Sequence, residues 1–271
     1  MRVTVTASPA AFRARVEGWL AARPVEHNVL VTVAAVAREG TFAWLEQDGD
    51  VRAAVLRTPP HPLICSMLDR AAADALMPAV LEADPDMPGV TGPEPAARHL
   101  AEAWRAGTGG AFEPATVLVL YAVSEVVAPP RPPAGVARLA RPDERDELVA
   151  LARGFTRDVA ATTEPPEVLV DRRLPDDRLF VWDDGGPVSL LGTSPPVAGV
   201  VRVSMVYTPP AARGRGYASA LVAAVSSRAM AAGASQCMLY ADGANPTANR
   251  IYQAVGYRRV TDARDYAFEQ R

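Results

Sequence analysis

Between Val200 and Gly233 a β-branched run passes through two prolines and two closely spaced glycines into an alanine-rich stretch free of proline. Only a strand, a turn and a helix in that order satisfy all three parts. Val200-Val-Arg-Val-Ser-Met-Val-Tyr207 has the residues of a strand, and Thr208-Pro209-Pro210 stops it because proline has no N–H to give a sheet ladder. Gly214 and Gly216 open backbone conformations closed to residues with a Cβ and leave their amides uncovered. Arg213 and Arg215 add positive charge. The helix expected over 218–232, closed by Gly233, points its unpaired N–H groups and positive dipole end at this turn. The combination is a phosphate site.

Two common phosphate loops do not fit. A nucleoside triphosphatase loop needs Gly-Lys followed by Ser or Thr, where this chain has Gly216-Tyr217. The dinucleotide fingerprint is approached by Gly214-Arg215-Gly216-Tyr217-Ala218-Ser219. That fold, however, needs further βαβ units of roughly 30 residues each, and too little chain remains after the loop.

A third pattern fits. Arg213-x-x-Gly216-x-Ala218, after a strand and opening a helix, resembles the acyl-CoA pyrophosphate loop of the GNAT acetyltransferase superfamily. Downstream, Asn245-Pro-Thr-Ala248-Asn249-Arg-Ile-Tyr252-Gln-Ala-Val-Gly256-Tyr257 resembles the last motif of the same superfamily, in the expected order and separation. The resemblance runs from about Val136 to the end. It implies an α/β fold with a mixed, mostly antiparallel sheet flanked by helices, acetyl-CoA as cosubstrate and no metal. It also implies roles. Arg213, Gly214, Arg215, Gly216, Tyr217 and Ala218 would hold the pyrophosphate; Met205, Val206 and Tyr207 would offer strand backbone to pantetheine; Asn245 and Asn249 could bond the same arm.

Tyr252 is the general acid under this reading, because a phenol of pKa about 10 keeps its proton at neutral pH and can give it to a departing thiolate. A packed helix aromatic is the plainer role for it, as a helix cap is for Asn245. No base stands out. His27, His61 and His99 all fall in the N-terminal half. Asp242, Glu164 and Glu167 are carboxylate candidates that solvated charges or helix starts would equally explain. Without a histidine base, an α-amine of pKa about 7.7 is an easier acceptor than a lysine-like amine near 10.4.

The 271 residues carry a net charge of −3 and ordinary apolar and charged fractions, so a core can form and no basic footprint for nucleic acid stands out. Cys65 and Cys237, each in an apolar run, read as small buried hydrophobes, which disfavours both a disulfide framework and a cysteine acyl carrier. No signal core and no unbroken apolar run of roughly 18 residues is present, so the expected compartment is cytoplasmic, without membrane contact.

In the N-terminal half, Phe12, Val16, Trp19 and Leu20 repeat at helical spacing, and 29–36 is helix or strand by pattern. Asp48-Gly49 between apolar arms is the strongest hairpin signal. A strand at 63–66, a helix over 69–82, a loop over 88–95, a helix over 96–106 and a strand over 116–127 follow. That order resembles a GNAT unit lacking its glycine loop. Ala128-Pro-Pro-Arg-Pro-Pro-Ala-Gly135 is a connector. The expected division is therefore a degenerate GNAT-like domain at 1–127, a linker at 128–135 and a catalytic domain at 136–271.

In the second domain a strand at 136–140 precedes helices from 142 and 164, a hairpin over 179–192, the loop region, a strand over 235–241 and a helix from Asn245 to Val255. A strand pair at 257–260 and 266–269 closes the chain. The implied activity is direct N-acetyl transfer to a primary amine, small molecule or peptide; the alternative is an acyl-CoA-binding regulatory module without turnover. The N-terminal domain would shape the acceptor site, with 158–171, or serve a homodimer contact.

Overall fold

The computed structural model describes residues 1–159 and 164–269. The chain packs into two compact units. Met1–Leu120, Asp242–Ala244 and the chain from Val260 on make the first; Tyr121–Ala241 and Asn245–Arg259 make the second. Residues 128–135 carry neither helix nor strand. The end of that stretch is fastened in the second unit, where Trp182 Nε1 donates to Ala134 O at 2.8 Å. The grouping differs from a simple cut at the prolines, since the chain's last strand belongs to the first unit from Val260 on.

The first unit runs β1 (Arg2–Thr6), α1 (Pro9–Ala21), α2 (Asn28–Val36), β2 (Thr41–Gln47), β3 (Asp50–Arg57), β4 (Leu63–Cys65), α3 (Arg70–Ala83), β5 (Gly89–Pro93), α4 (Ala96–Thr108) and most of β6 (Phe112–Val123). Strands β1 to β4 pair antiparallel in sequence, and β4 pairs parallel with β5. Strand alternation buries both faces of β2: Phe42 and Trp44 join the core with α1 and α2, while Ala43 and Leu45 join the core with α3 and α4.

Three expectations for this half change. The ambiguous run at 29–36 is helix, and β1 was not anticipated. The loop expected at 88–95 contains β5. Its glycines looked like turn residues, yet they serve close approach: a Cβ on Gly89 would stand 2.2 Å from Tyr266 O, and one on Gly92 2.4 Å from Cys65 Sγ. Tyr266 belongs to β12 (Arg258–Phe268), which pairs antiparallel with β5 from Ala263↔Pro93 to Ala267↔Gly89. The expected pair of short C-terminal strands is thus one continuous strand, its polar middle supported by the Thr91 hydroxyl donating to Asp265.

The second unit repeats the order. β7 (Val136–Leu139) is followed by α5 (Arg145–Asp158) and α6 (Pro166–Asp171), then β8 (Leu179–Asp183), β9 (Pro187–Thr193), β10 (Val200–Tyr207), α7 (Tyr217–Ala231), β11 (Gln236–Asp242) and α8 (Pro246–Ala254). Strands β7 to β10 pair antiparallel and β10 pairs parallel with β11, the same arrangement as β1 to β5. Leu148, Ala152 and Leu169 of α5 and α6 bury against Leu179, Val181, Leu190 and Tyr207. The opposite side chains face α7: Arg228 lies 5.8 Å over the Phe180 ring, and Cys237 Sγ points at Ser226 O. The fold is α/β, two GNAT-like units, each with a mixed, mostly antiparallel sheet and flanking helices. Among the described residues no helix is long and apolar enough to cross a membrane.

Candidate active site

The site begins where β10 leaves its neighbours. Pairing with β11 covers Val200 to Arg202 and goes no further. Toward β9 the ladder slips between Ser204 and Tyr207, with Met205 at φ 54. A residue with a Cβ in this conformation marks a β-bulge held by its surroundings. The backbone after Ser204 is therefore released from β11, and Val206 and Tyr207 line a cavity of about 760 Å³ within the second unit.

At the mouth of that cavity lies the glycine turn. Gly214 and Gly216 sit at φ 79 and 86, and a Cβ on Gly214 would meet nothing within 4 Å. Glycine is required there by backbone conformation. Gly216 caps α7 without a side-chain bond. From Gly214 through Ser219, successive main-chain amides find no acceptor among the described residues, and the first helical bond of this end runs from Ala220 N to Gly216 O. The first unit differs at the matching place. Asp69 caps α3 and its carboxylate accepts from Ala72 N at 2.8 Å, filling with its own negative charge the position an external anion would take.

The side chains of the turn have separate tasks. Arg213 is held by Asp158 at 2.6 Å, donates through Nε to Thr208 O at 2.9 Å and lies 5.8 Å over the Tyr207 ring. Its guanidinium holds Asp158 below the ordinary carboxylate range. Tyr217 is buried and its hydroxyl donates to Asp184, so it offers the cavity mainly its amide. Arg215 is exposed and off the cavity wall.

Across the cavity stands α8. Asn245 lines the cavity, and its Oδ1 accepts from Ala248 N at 3.0 Å as a helix cap. Asn249 Nδ2 donates to Asn245 O at 2.8 Å, and Asn249, like Met205, lies off the wall. Tyr252 does line it. Its ring is buried beside Tyr121 and Tyr257, with centroids at 6.4 and 6.2 Å, and burial pushes the phenol up to about 12. Its hydroxyl makes no hydrogen bond among the described residues.

The carboxylate candidates fall elsewhere. Glu164 pairs with Arg172 at 2.7 Å, Glu167 with Arg153 at 3.0 Å, and Asp242 accepts from Ala244 N at 2.8 Å; none lines the cavity. Of the segment 158–171 expected to shape the acceptor pocket, residues 160–163 lie outside the described residues. Asp158 on the wall was not anticipated, because nothing in the sequence pairs it with Arg213, 55 residues on.

Gly154 of α5 is a further wall support that periodicity hides. A Cβ there would sit 2.4 Å from Tyr207 Oη and 2.6 Å from its ring. Gly154→Ala should displace that ring toward the cavity, cost about 1–3 kcal/mol in urea unfolding and weaken ligand binding together. An unchanged unfolding midpoint would show that the ring moves freely.

A strand that parts from its neighbour, a turn of open amides and a helix bearing a buried phenol meet at one cavity of an α/β unit, an arrangement whose open amides can receive an anion. Residues 139–257 match the family model described as Acetyltransferase (GNAT) family, so that part of the chain is a GNAT-type domain. No curated protein matches it in sequence. Among solved structures it is similar to a GCN5-related N-acetyltransferase from Sphaerobacter thermophilus, with 20% identity, TM-score 0.65 and coverage of 98% of this chain and 95% of that one. A GCN5-related N-acetyltransferase from Kribbella flavida is 19% identical over 93% and 96%, with TM-score 0.63. A tandem GNAT protein from the clavulanic acid biosynthesis pathway is 12% identical over 99% and 98%, with TM-score 0.58. These likenesses show the fold, including its two-unit layout. The family that this model describes is one of acetyltransferases, which transfer an acyl group from acetyl-CoA.

Proposed function

We propose that the second unit is an N-acetyltransferase that moves the acetyl group of acetyl-CoA directly to the primary amine of an acceptor. The observation that carries this reading is the run of unpartnered amides from Gly214 through Ser219, opening on the cavity that Tyr252 also lines. Those amides and the α7 dipole suit a pyrophosphate, with Arg213 and Arg215 adding charge nearby. Met205, Val206 and Tyr207 are free of β11, and the pantetheine amides fit such a strand edge. Asn245, Tyr217 and Ala218 complete the walls, and Asn249 braces the start of α8.

Acetyl-CoA supplies the activated acyl group. The amine nitrogen attacks the thioester carbon, the C–S bond breaks, Tyr252 gives its proton to the sulfur, and the proton lost by the nitrogen returns charge balance through solvent. Direct transfer is supported by Cys237, which is buried and whose thiol burial pushes up to about 11. With no wall carboxylate of raised pKa, the acceptor arrives neutral, which favours an amine of low pKa.

Calorimetric titration with acetyl-CoA and with acetyl-pantetheine, which lacks the pyrophosphate, tests the loop assignment. The pyrophosphate should be worth at least a hundredfold in Kd. Equal affinity for the two would overturn it.

A further inference from the structure

Away from the cavity wall, the second unit holds two guanidiniums that pair with no carboxylate among the described residues. Beyond Asp171, the end of α6, the chain turns through Arg172 and Arg173. Arg173 is 8% exposed. Its Nη1 donates to Leu169 O at 2.8 Å, while its buried Nε has no partner, and among the described residues no carboxylate pairs with it. The side chain lies against Gly192 of β9, where a Cβ would stand 2.9 Å from both Cδ and Nε and 3.6 Å from Met205 Sδ. Gly192 therefore makes the slot, and the slot borders the bulge residue of β10.

Ser204 pairs with Gly192 and shares its face of the sheet; Arg202, two residues earlier on β10, lies on that face too. The Arg202 amide is locked to Ser194 Oγ at 3.0 Å, but its guanidinium has no hydrogen bond or ion pair among the described residues. The neighbours are matched: Arg172 donates two hydrogen bonds to Glu164, at 2.7 and 2.8 Å, and Arg178 pairs with Asp176. Four guanidiniums less two carboxylates leave two positive charges, those of Arg173 and Arg202. Burial, and then the field of the other arginines, push Arg173 down to about 10, and burial likewise lowers Arg202. Capping α6 through Leu169 O explains one of the five donors of Arg173 and none of Arg202.

An unpaired buried charge is costly, and it is relieved when an anion supplies the missing partner. We infer that Arg173 and Arg202 bind an oxyanion, a carboxylate or a phosphate, carried by the acceptor amine. The slot lies on the α5–α6 side of β10, and Arg202 precedes Met205 by three residues, on the order of 10 Å of strand. An extended amine whose anionic group sits about eight bonds from its nitrogen spans that distance. The term acceptor rests on the acyl-transfer reading; the anion site stands on the arginines alone.

The test is a calorimetric titration of the full chain, saturated with CoA so that the glycine turn is filled, with glutarate in one arm and inorganic phosphate in the other. Wild type should bind one of the two, the stronger arm naming the group. Arg202→Gln and Arg173→Lys should each raise Kd at least tenfold. Arg202→Gln should melt no lower than wild type, since it removes an unmatched charge, so it decides the matter even if the Arg173 variant fails to fold. No binding in either arm, or equal affinity in the variants, would overturn the site. If CoA itself does not bind, the titration is run without it: anion binding lost in the variants then refutes the acyl-transfer reading and leaves the arginine site intact.

Discussion

Gly216→Glu is expected to raise the Kd for acetyl-CoA by at least a hundredfold while the second unit stays folded. Gly216 sits at φ 86 at the start of α7, and a residue with a Cβ in the left-handed region costs about 1–2 kcal/mol. That strain is partly offset, because a carboxylate beside a helix N-terminus is favourable by about 0.3–1 kcal/mol. The effect on the ligand is larger and of opposite sign. A carboxylate about 5 Å from a phosphate charge, at an effective dielectric near 20, repels it by roughly 3 kcal/mol, and 1.4 kcal/mol is a factor of ten. The added carboxylate also occupies the open amides, as Asp69 does on α3 of the first unit. Gly216→Ala carries the strain without the charge and should lie between. Calorimetry reads the affinity and circular dichroism the fold; a glutamate variant that binds as wild type would remove the turn from the site.

Most of the strand–turn–helix was legible because its signals are local. Pro209 and Pro210 end a strand, glycines mark the turn, and Asn245-Pro246 starts a helix that does start there. The Asp48-Gly49 hairpin appeared as expected, with both residues at positive φ. What the sequence hid depends on partners far along the chain. Gly89 and Gly92 read as turn residues until Tyr266 and Cys65 are seen pressed against them. β12 read as two strands because its polar middle is supported by β5, more than 160 residues earlier in the chain. Asp158 joins the cavity wall through Arg213, and Gly154 supports that wall from behind by giving room to the Tyr207 ring. Arg173 and Arg202 were indistinguishable from the paired cations Arg172 and Arg178 until the structure placed Glu164 and Asp176 on the latter two and buried Arg173 without a carboxylate. Residue type gives the chemistry available, and long-range packing decides which copies of it stand unpartnered.

Tyr252→Phe should lower kcat by about a hundredfold, within the usual range for a general acid, and leave the Kd for acetyl-CoA within twofold. The hydroxyl makes no hydrogen bond among the described residues, so its removal orphans no partner there and should cost little stability. Its pKa near 12 bears on the mechanism in two ways. A thiol of ordinary acidity would take this proton uphill. The burial that raises the phenol, however, also disfavours the departing thiolate beside it, so both acidities rise together and the transfer stays near balance. A phenol held near 12 is also fully protonated through pH 10. The kcat of wild type should therefore show no basic limb between pH 7 and 10, while its acid limb reports the acceptor amine losing its proton. A descending limb near pH 8 to 9 that persists in the phenylalanine variant would place the acid elsewhere. A kcat reduced less than threefold, with acetyl-CoA still bound, would leave Tyr252 as a packing residue of α8 and assign the sulfur's proton to water.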